Sequence, residues 1–332
     1  MSRNTVDSIE TSRRRFTRAV AAGLLAMCAT VSHAADSPIA IVVPFPPGGT
    51  TDLLARVMSQ QLAERLHRVV IVENKAGAGG SVGAGVVAGA KPDGATLLMA
   101  NAGIQTINPS LYKKLPYDAV NGFAPISRVG NVTNVLIVNS TLPVRTVGEL
   151  IAYAKANPGK LQFGSAGNGT TMHLTGEMFQ RRAGIQMTHV PYRGSGPAMT
   201  DLIAGHISVI FENLPTALPY IQSGKVKAIA VTSSTRAQAL PALPTIAESG
   251  LPGFDATSWF GLLLPAKTSA DKVAELHSAI AGIVSSPPVQ RRLLESGVEP
   301  YADKSPQDFK TCIEQESRKW GQLVKDADVK VE

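Results

Sequence analysis

Two cysteines in 332 residues are too few for a disulfide framework, and no cysteine or histidine cluster has metal-finger spacing. Stability must come from packing. No apolar run is longer than Ala19 to Val31, which falls short of the roughly 20 residues a membrane helix needs. P-loop, H-E-x-x-H and EF-hand strings do not occur, and neither internal repeats nor low-complexity tracts are evident. These absences remove the commonest nucleotide, zinc and calcium chemistries.

What is present describes a globular chain: 44% hydrophobic and 17% charged residues, with 30 Gly and 22 Pro. At about 150 residues per domain the length suits two domains or one large one. The formal net charge is +7, at first sight a hint of an anionic partner. Much of it is local. Arg3, Arg13, Arg14, Arg15 and Arg18 fall in the first 34 residues against Asp7 and Glu10, and the remainder holds 27 basic against 23 acidic residues. That balance is no nucleic-acid footprint.

The same 34 residues read as an export signal. A basic stretch ends at Arg18, an apolar stretch follows, and Ser32-His33-Ala34 places small residues at −3 and −1 for cleavage after Ala34. Ser12-Arg13-Arg14-Arg15-Phe16 resembles a twin-arginine signal, so the Sec and twin-arginine routes both stay open; each reaches the periplasm. Leu25-Ala26-Met27-Cys28 departs from a lipoprotein box at Met27. Cys28 leaves with the signal, and Cys312 remains as a small buried hydrophobe with no chemistry assigned.

From Ile39 onward, short β-branched runs alternate with helical segments, as in a parallel α/β sheet. Strands are expected at Ile39–Phe45, Val69–Glu73, Thr96–Ala100, Val135–Val138, Gln162–Gly164, Met187–Val190, Ile207–Phe211 and Val226–Val231. Helices are expected at Thr51–Leu66, Val147–Ala156, Thr171–Arg182, Ala198–Ala204 and Pro215–Gln222, with three more after Thr257. Chain crossings near Gly130–Asn134 and Asp255–Trp259 would divide two lobes, 38–132 plus 257–332 and 133–256, joined by a hinge.

Two glycine-rich turns carry the functional reading. Pro44-Phe45-Pro46-Pro47-Gly48-Gly49-Thr50-Thr51-Asp52 runs from a strand into a helix, and Phe163-Gly164-Ser165-Ala166-Gly167-Asn168-Gly169-Thr170-Thr171 does so in the second lobe. Free N–H groups and the dipole at a helix start favour an anion. One such turn is compatible with plain chain reversal. Two, each beyond the C-terminal end of a strand, suit a cleft for a small anion. Asn101-Ala102-Gly103 and Val190-Pro191-Tyr192-Arg193 are further strand-end turns, and Asn213 closes a strand; Arg193 is expected to lie solvated along its stem. Gly79-Gly80-Ser81-Val82-Gly83 matches the hydrolase string G-x-S-x-G without the preceding strand that motif needs. Gly83-Ala84-Gly85-Val86-Val87-Ala88 begins inside a helix and reads as close packing rather than a dinucleotide site.

With these residues, Ile41-Val42-Val43-Pro44-Phe45, Glu73-Asn74-Lys75, Gly77-Ala78-Gly79-Gly80 and Ser258-Trp259, the mature chain resembles the Bug family of solute receptors of the tripartite tricarboxylate transporter system. The resemblance implies a type II periplasmic-binding α/β fold, with two Rossmann-like lobes and a cleft between them, that closes on a small carboxylate. It implies no cofactor, metal or nucleic acid, a monomer, and transient contact with the membrane subunits of a transporter. Its binding positions carry over to Phe45, Pro47, Gly48, Gly49, Thr50, Thr51 and Asp52, to Asn101, Ala102 and Gly103, to Ser165, Ala166, Gly167, Asn168, Gly169 and Thr170, and to Tyr192 and Asn213. Phe45 and Trp259 are expected to form the far wall. Asn213 stands where amino-acid-binding members would place an acid, which favours simple or aromatic carboxylates. Two other functions remain open: an enzyme on the same scaffold using Ser81 or Asp52, and a ligand sensor for a membrane kinase.

Overall fold

The computed structural model describes residues 37–326 and 329; the expected export signal lies outside them. Two sheets share one long strand. In the first, β1 (Ile39–Val43) lies parallel between β2 (Val70–Asn74) and β3 (Thr96–Asn101). Helix α1 (Thr50–Leu66) links β1 to β2 and α2 (Ser81–Ala88) links β2 to β3. A π-helical turn at Gly103–Ile107 and the single turn α3 (Asn108–Leu111) follow.

Strand β4 (Phe123–Asn139) then runs 17 residues, and its second half enters the other sheet. That sheet is built with α4 (Val147–Ala156), β5 (Gln162–Ser165), α5 (Thr171–Ala183), β6 (Thr188–Pro191), α6 (Ser195–Ala204), β7 (Val209–Asn213), α7 (Leu214–Gln222) and β8 (Val226–Val231). The chain returns through β9 (Thr257–Pro265) and finishes with α8 (Ala270–Val284), α9 (Pro287–Glu295), the short β10 (Glu299–Pro300) and α10 (Pro306–Asp326).

The fold is α/β as expected, but the sheets are mixed. β9 is antiparallel to both β3 and β4, and β7 and β8 are antiparallel to β4. The expected crossing at Gly130–Asn134 is the middle of β4, and the return at Asp255–Trp259 opens β9, with Thr133 opposite Thr257. Gly130 and the polar Asn131, Thr133 and Asn134 hid a strand that continues through them. Gly130 is needed there because a Cβ would lie 2.5 Å from Val298 and 2.8 Å from the Glu299 carbonyl oxygen.

Each sheet is covered on both faces. Leu54, Met58, Ile280 and Leu293 pack on one side of the first, and Val87, Trp259 and Phe309 on the other. Phe179, Leu150 and Trp320 cover one side of the second, and Met199, Leu202 and Leu218 the other. Burial of each such side chain is worth about 1.5–3 kcal/mol. Helix α10 spans both halves: Phe309 and Ile313 belong to the first sheet's core, Trp320 and Val324 to the second's. The first half of β4 is tied to the C-terminal segment by Arg128, whose guanidinium meets the fully buried Asp303 carboxylate at 2.6 Å.

Candidate functional site

Four strands, β1, β5, β6 and β7, deliver the N-termini of α1, α5, α6 and α7 to one place. The cavity there, about 30 Å³, is lined by Phe45, Pro46, Pro47, Gly49, Thr50, Thr51 and Asn101 from the first half. Ala166, Thr170, Thr171, Met172, Gly194, Ser195, Gly196 and Asn213 line it from the second. None of these side chains carries a charge. The donors available are main-chain amides, because the first N–H groups of a helix have no intrahelical acceptor and sit at the positive end of its dipole. A second chamber of about 560 Å³ adjoins it at Phe45, Pro46, Ala166 and Gly194, and reaches Gly77–Gly80, Tyr112, Gly167, Asn168, Tyr192 and Arg193.

The two glycine-rich turns thus face each other, and the halves touch. Tyr112 donates its hydroxyl hydrogen to the Asn168 carbonyl oxygen (3.2 Å), and the Thr50 and Thr216 hydroxyls are 2.9 Å apart. A Cβ on Gly103 would lie 2.9 Å from the Gly169 carbonyl oxygen, so glycine permits this approach. Gly48, at φ +92°, takes a conformation that an L side chain resists.

Local chemistry fixes each turn differently. Asp52 accepts from the Gly48 amide (3.1 Å), from Asn74 Nδ2 (3.0 Å) and, through both oxygens, from Arg56. Burial works to raise its pKa, but the hydrogen bonds from Arg56, Asn74 and Gly48 outweigh it and hold the carboxyl below its ordinary range. In the opposite turn Thr170 caps α5, accepting from the His173 amide and donating to the Gly167 carbonyl. Ser165 Oγ accepts from the Gly167 amide and lies 2.7 Å from His189 Nε2. Burial and the neighbouring His173 depress the His189 pKa to about 3, so this imidazole is neutral at pH 7.

Nine expected residues line the inner cavity: Phe45, Pro47, Gly49, Thr50, Thr51, Asn101, Ala166, Thr170 and Asn213. Gly167, Asn168 and Tyr192 line the outer chamber. Gly48, Asp52, Ala102, Gly103, Ser165 and Gly169 line neither; they shape the turns. Ser165, one of the expected binding positions, is fully buried and its hydroxyl is committed to Gly167 and His189. Tyr192 donates its hydroxyl hydrogen to Asp201 (2.7 Å). Trp259 is a correction: β9 carries it to the other face of the first sheet. There it packs edge-to-face on Phe309 with centroids 5.0 Å apart and lines a separate cavity with Arg128 and Cys312.

Ser195, Met172 and Glu212 were missed. Glu212 is fully buried behind the cavity wall. Its Oε1 accepts from Ser195 Oγ (3.0 Å) and the Asn213 amide (2.9 Å), while Oε2 has no partner among the described residues. Burial dominates and raises its pKa to about 7. Asn213 Oδ1 is likewise buried and unpartnered. The available signal was Glu212 itself, an acid that directly follows the apolar run Val209–Phe211 inside β7.

Residues 54–329 match the family described as the tripartite tricarboxylate transporter family receptor. The chain belongs to this family. BugT of Bordetella pertussis is 37% identical over 295 residues, 89% of this chain and 90% of its own. Rpa4515 of R. palustris, solved with adipate, superposes with a TM-score of 0.87 at 35% identity, covering 89% of this chain and 99% of that one. The periplasmic binding protein BugD gives 0.83 at 36% identity, with 89% and 99% coverage. MatC of Rhodopseudomonas palustris, solved with bound malate, gives 0.83 at 30% identity, with 87% and 99% coverage. This receptor therefore has the bilobal solute-binding fold, and its family is one of receptors rather than enzymes.

Proposed function

We propose that the chain is a periplasmic receptor that binds a small organic carboxylate between its halves and delivers it to a tripartite membrane transporter. The observation that carries this is the convergence of helix N-termini from both sheets on one cavity without a charged side chain. An anion bound there takes its hydrogen bonds from amides that need no rearrangement. The carboxylate occupies the inner cavity with Thr50 and Thr170 beside it, and the ligand body extends into the outer chamber toward Arg193. Adipate and malate in the related structures are ligands of this chemical class.

An inner cavity of about 30 Å³ holds a water or two, so a carboxylate enters only after the walls part. We take the lobes as 38–132 plus 257–332 and 133–256, moving about β4 and β9, and the first 34 residues as the cleaved export signal. Charge-assisted hydrogen bonds are worth about 1.5–3 kcal/mol each, so two or three completed on closure outweigh an opening gap of a few kcal/mol.

Gly103→Val tests the clamp. Its side chain meets the Gly169 carbonyl and wedges the walls apart. Calorimetry with adipate, malate and a wider carboxylate panel should find at least one ligand for the parent and roughly 100-fold weaker binding for the variant, the worth of about two lost bonds. A folded variant with parental affinity, or a parent that binds no carboxylate, would overturn the reading.

A further inference from the structure

Separate from the cleft, a cavity of about 650 Å³ lies between the π-helical turn and α10. That volume is within the roughly 300–1,000 Å³ of small-molecule sites. Three features distinguish it from an accidental hollow. Its apolar lining includes Phe123 and Ile313, both largely buried, with Val120 exposed at the rim. Gln105, 2% exposed, lines it, and its Nε2 has no hydrogen-bond partner among the described residues; an unsatisfied buried donor is costly unless something accepts from it. Lys310, Glu314 and Arg318 line it at four-residue intervals along α10. Among the described residues none of the three has an ion-pair or hydrogen-bond partner.

We propose that this cavity is a second ligand site, for an amphipathic organic anion with an aromatic or short aliphatic body. The body packs on Phe123 and Ile313, the negative group is held by Lys310 and Arg318, and Gln105 Nε2 donates to an acceptor on the ligand. The excess of cations and the unpartnered donor select an anion; the apolar lining selects against inorganic ions. The site does not rest on the reading of the cleft, since it shares none of the residues lining the inner or outer chamber.

The test uses the folded mature protein and 1-anilinonaphthalene-8-sulfonate, an apolar anion whose fluorescence reports a dry site. Saturable one-to-one binding is expected. The surface double variant K310E/R318E should weaken it by about tenfold or more, and Gln105→Leu by about fivefold. Ala119→Trp, which fills the cavity, should abolish it, while Gly49→Trp, which fills the cleft, should leave it within twofold. Absence of saturable binding, parental affinity in both K310E/R318E and Ala119→Trp, or loss in Gly49→Trp instead would overturn the proposal.

Discussion

Each wall of the cleft hides a carboxylate, and the two behave oppositely. Asp52, behind the first turn, accepts hydrogen bonds on both oxygens and neutralises Arg56. Glu212, behind the opposite wall at Ser195 and Asn213, has one oxygen satisfied and the other buried without a partner among the described residues. Burial penalises both charges; only Asp52 has enough partners to overcome it. Burial alone therefore does not set titration. The number of donors does, and it makes one wall a fixed anchor and the other a group that titrates near neutrality.

The comparison breaks most visibly at Asp52. Asp52→Ala removes a buried carboxylate that gathers Gly48, Asn74 and Arg56, and urea unfolding should show a loss of about 3–4 kcal/mol at pH 7, with much weaker carboxylate binding. Because its folded pKa is depressed, this contribution is complete above the ordinary carboxylate range and is lost as pH falls from there through the folded value. An unchanged midpoint would mean that the turn holds itself.

Glu212→Gln should act in the other direction. A folded pKa of about 7 against an ordinary 4.5 means the native state holds a proton the unfolded state has released. Stability then falls as pH rises from about 4.5 to 7 and levels off above. Over that window the cost is on the order of 3 kcal/mol. The glutamine variant should lose that slope and be the more stable protein at pH 8. Since the ionised Glu212 would stand behind Ser195, parental anion affinity should weaken as pH rises through about 7, where the folded carboxyl ionises, and the variant's should not. A parallel slope in both proteins would remove Glu212 from the account. The smallest effect should come from Thr170→Ala, a lost helix cap worth about 1 kcal/mol by thermal unfolding, with little pH dependence because no ionised group is involved.

The parallel strands and the helices that follow them were legible because their periodicity and turn residues are local. Gly48-Gly49 and Gly167-Asn168-Gly169 announced the two turns for the same reason. What stayed hidden depends on partners distant in sequence. The first half of β4 is rich in polar and small residues, β9 is an apolar run interrupted by Gly261, and the two are recognisable as an antiparallel pair only once Thr133 meets Thr257. The serine at 165 looks like a ligand contact in a linear string, and only the His189 ring 24 residues later shows why it points inward. Trp259 failed similarly: a strand alternates faces, and its register was unknown.

Strand β4 is one long strand, its pairing shifted in register near Ser127, Gly130 and Ile137, with a sheet built on each end and β9 paired to it up to the point where it leaves the first sheet. An extended strand resists stretching more than twisting, so a shared strand of this kind would favour torsion over separation of the two halves. If the proposed closure is a turn about this strand, the opposed turns would meet in the same register each time without a separate latch to align them.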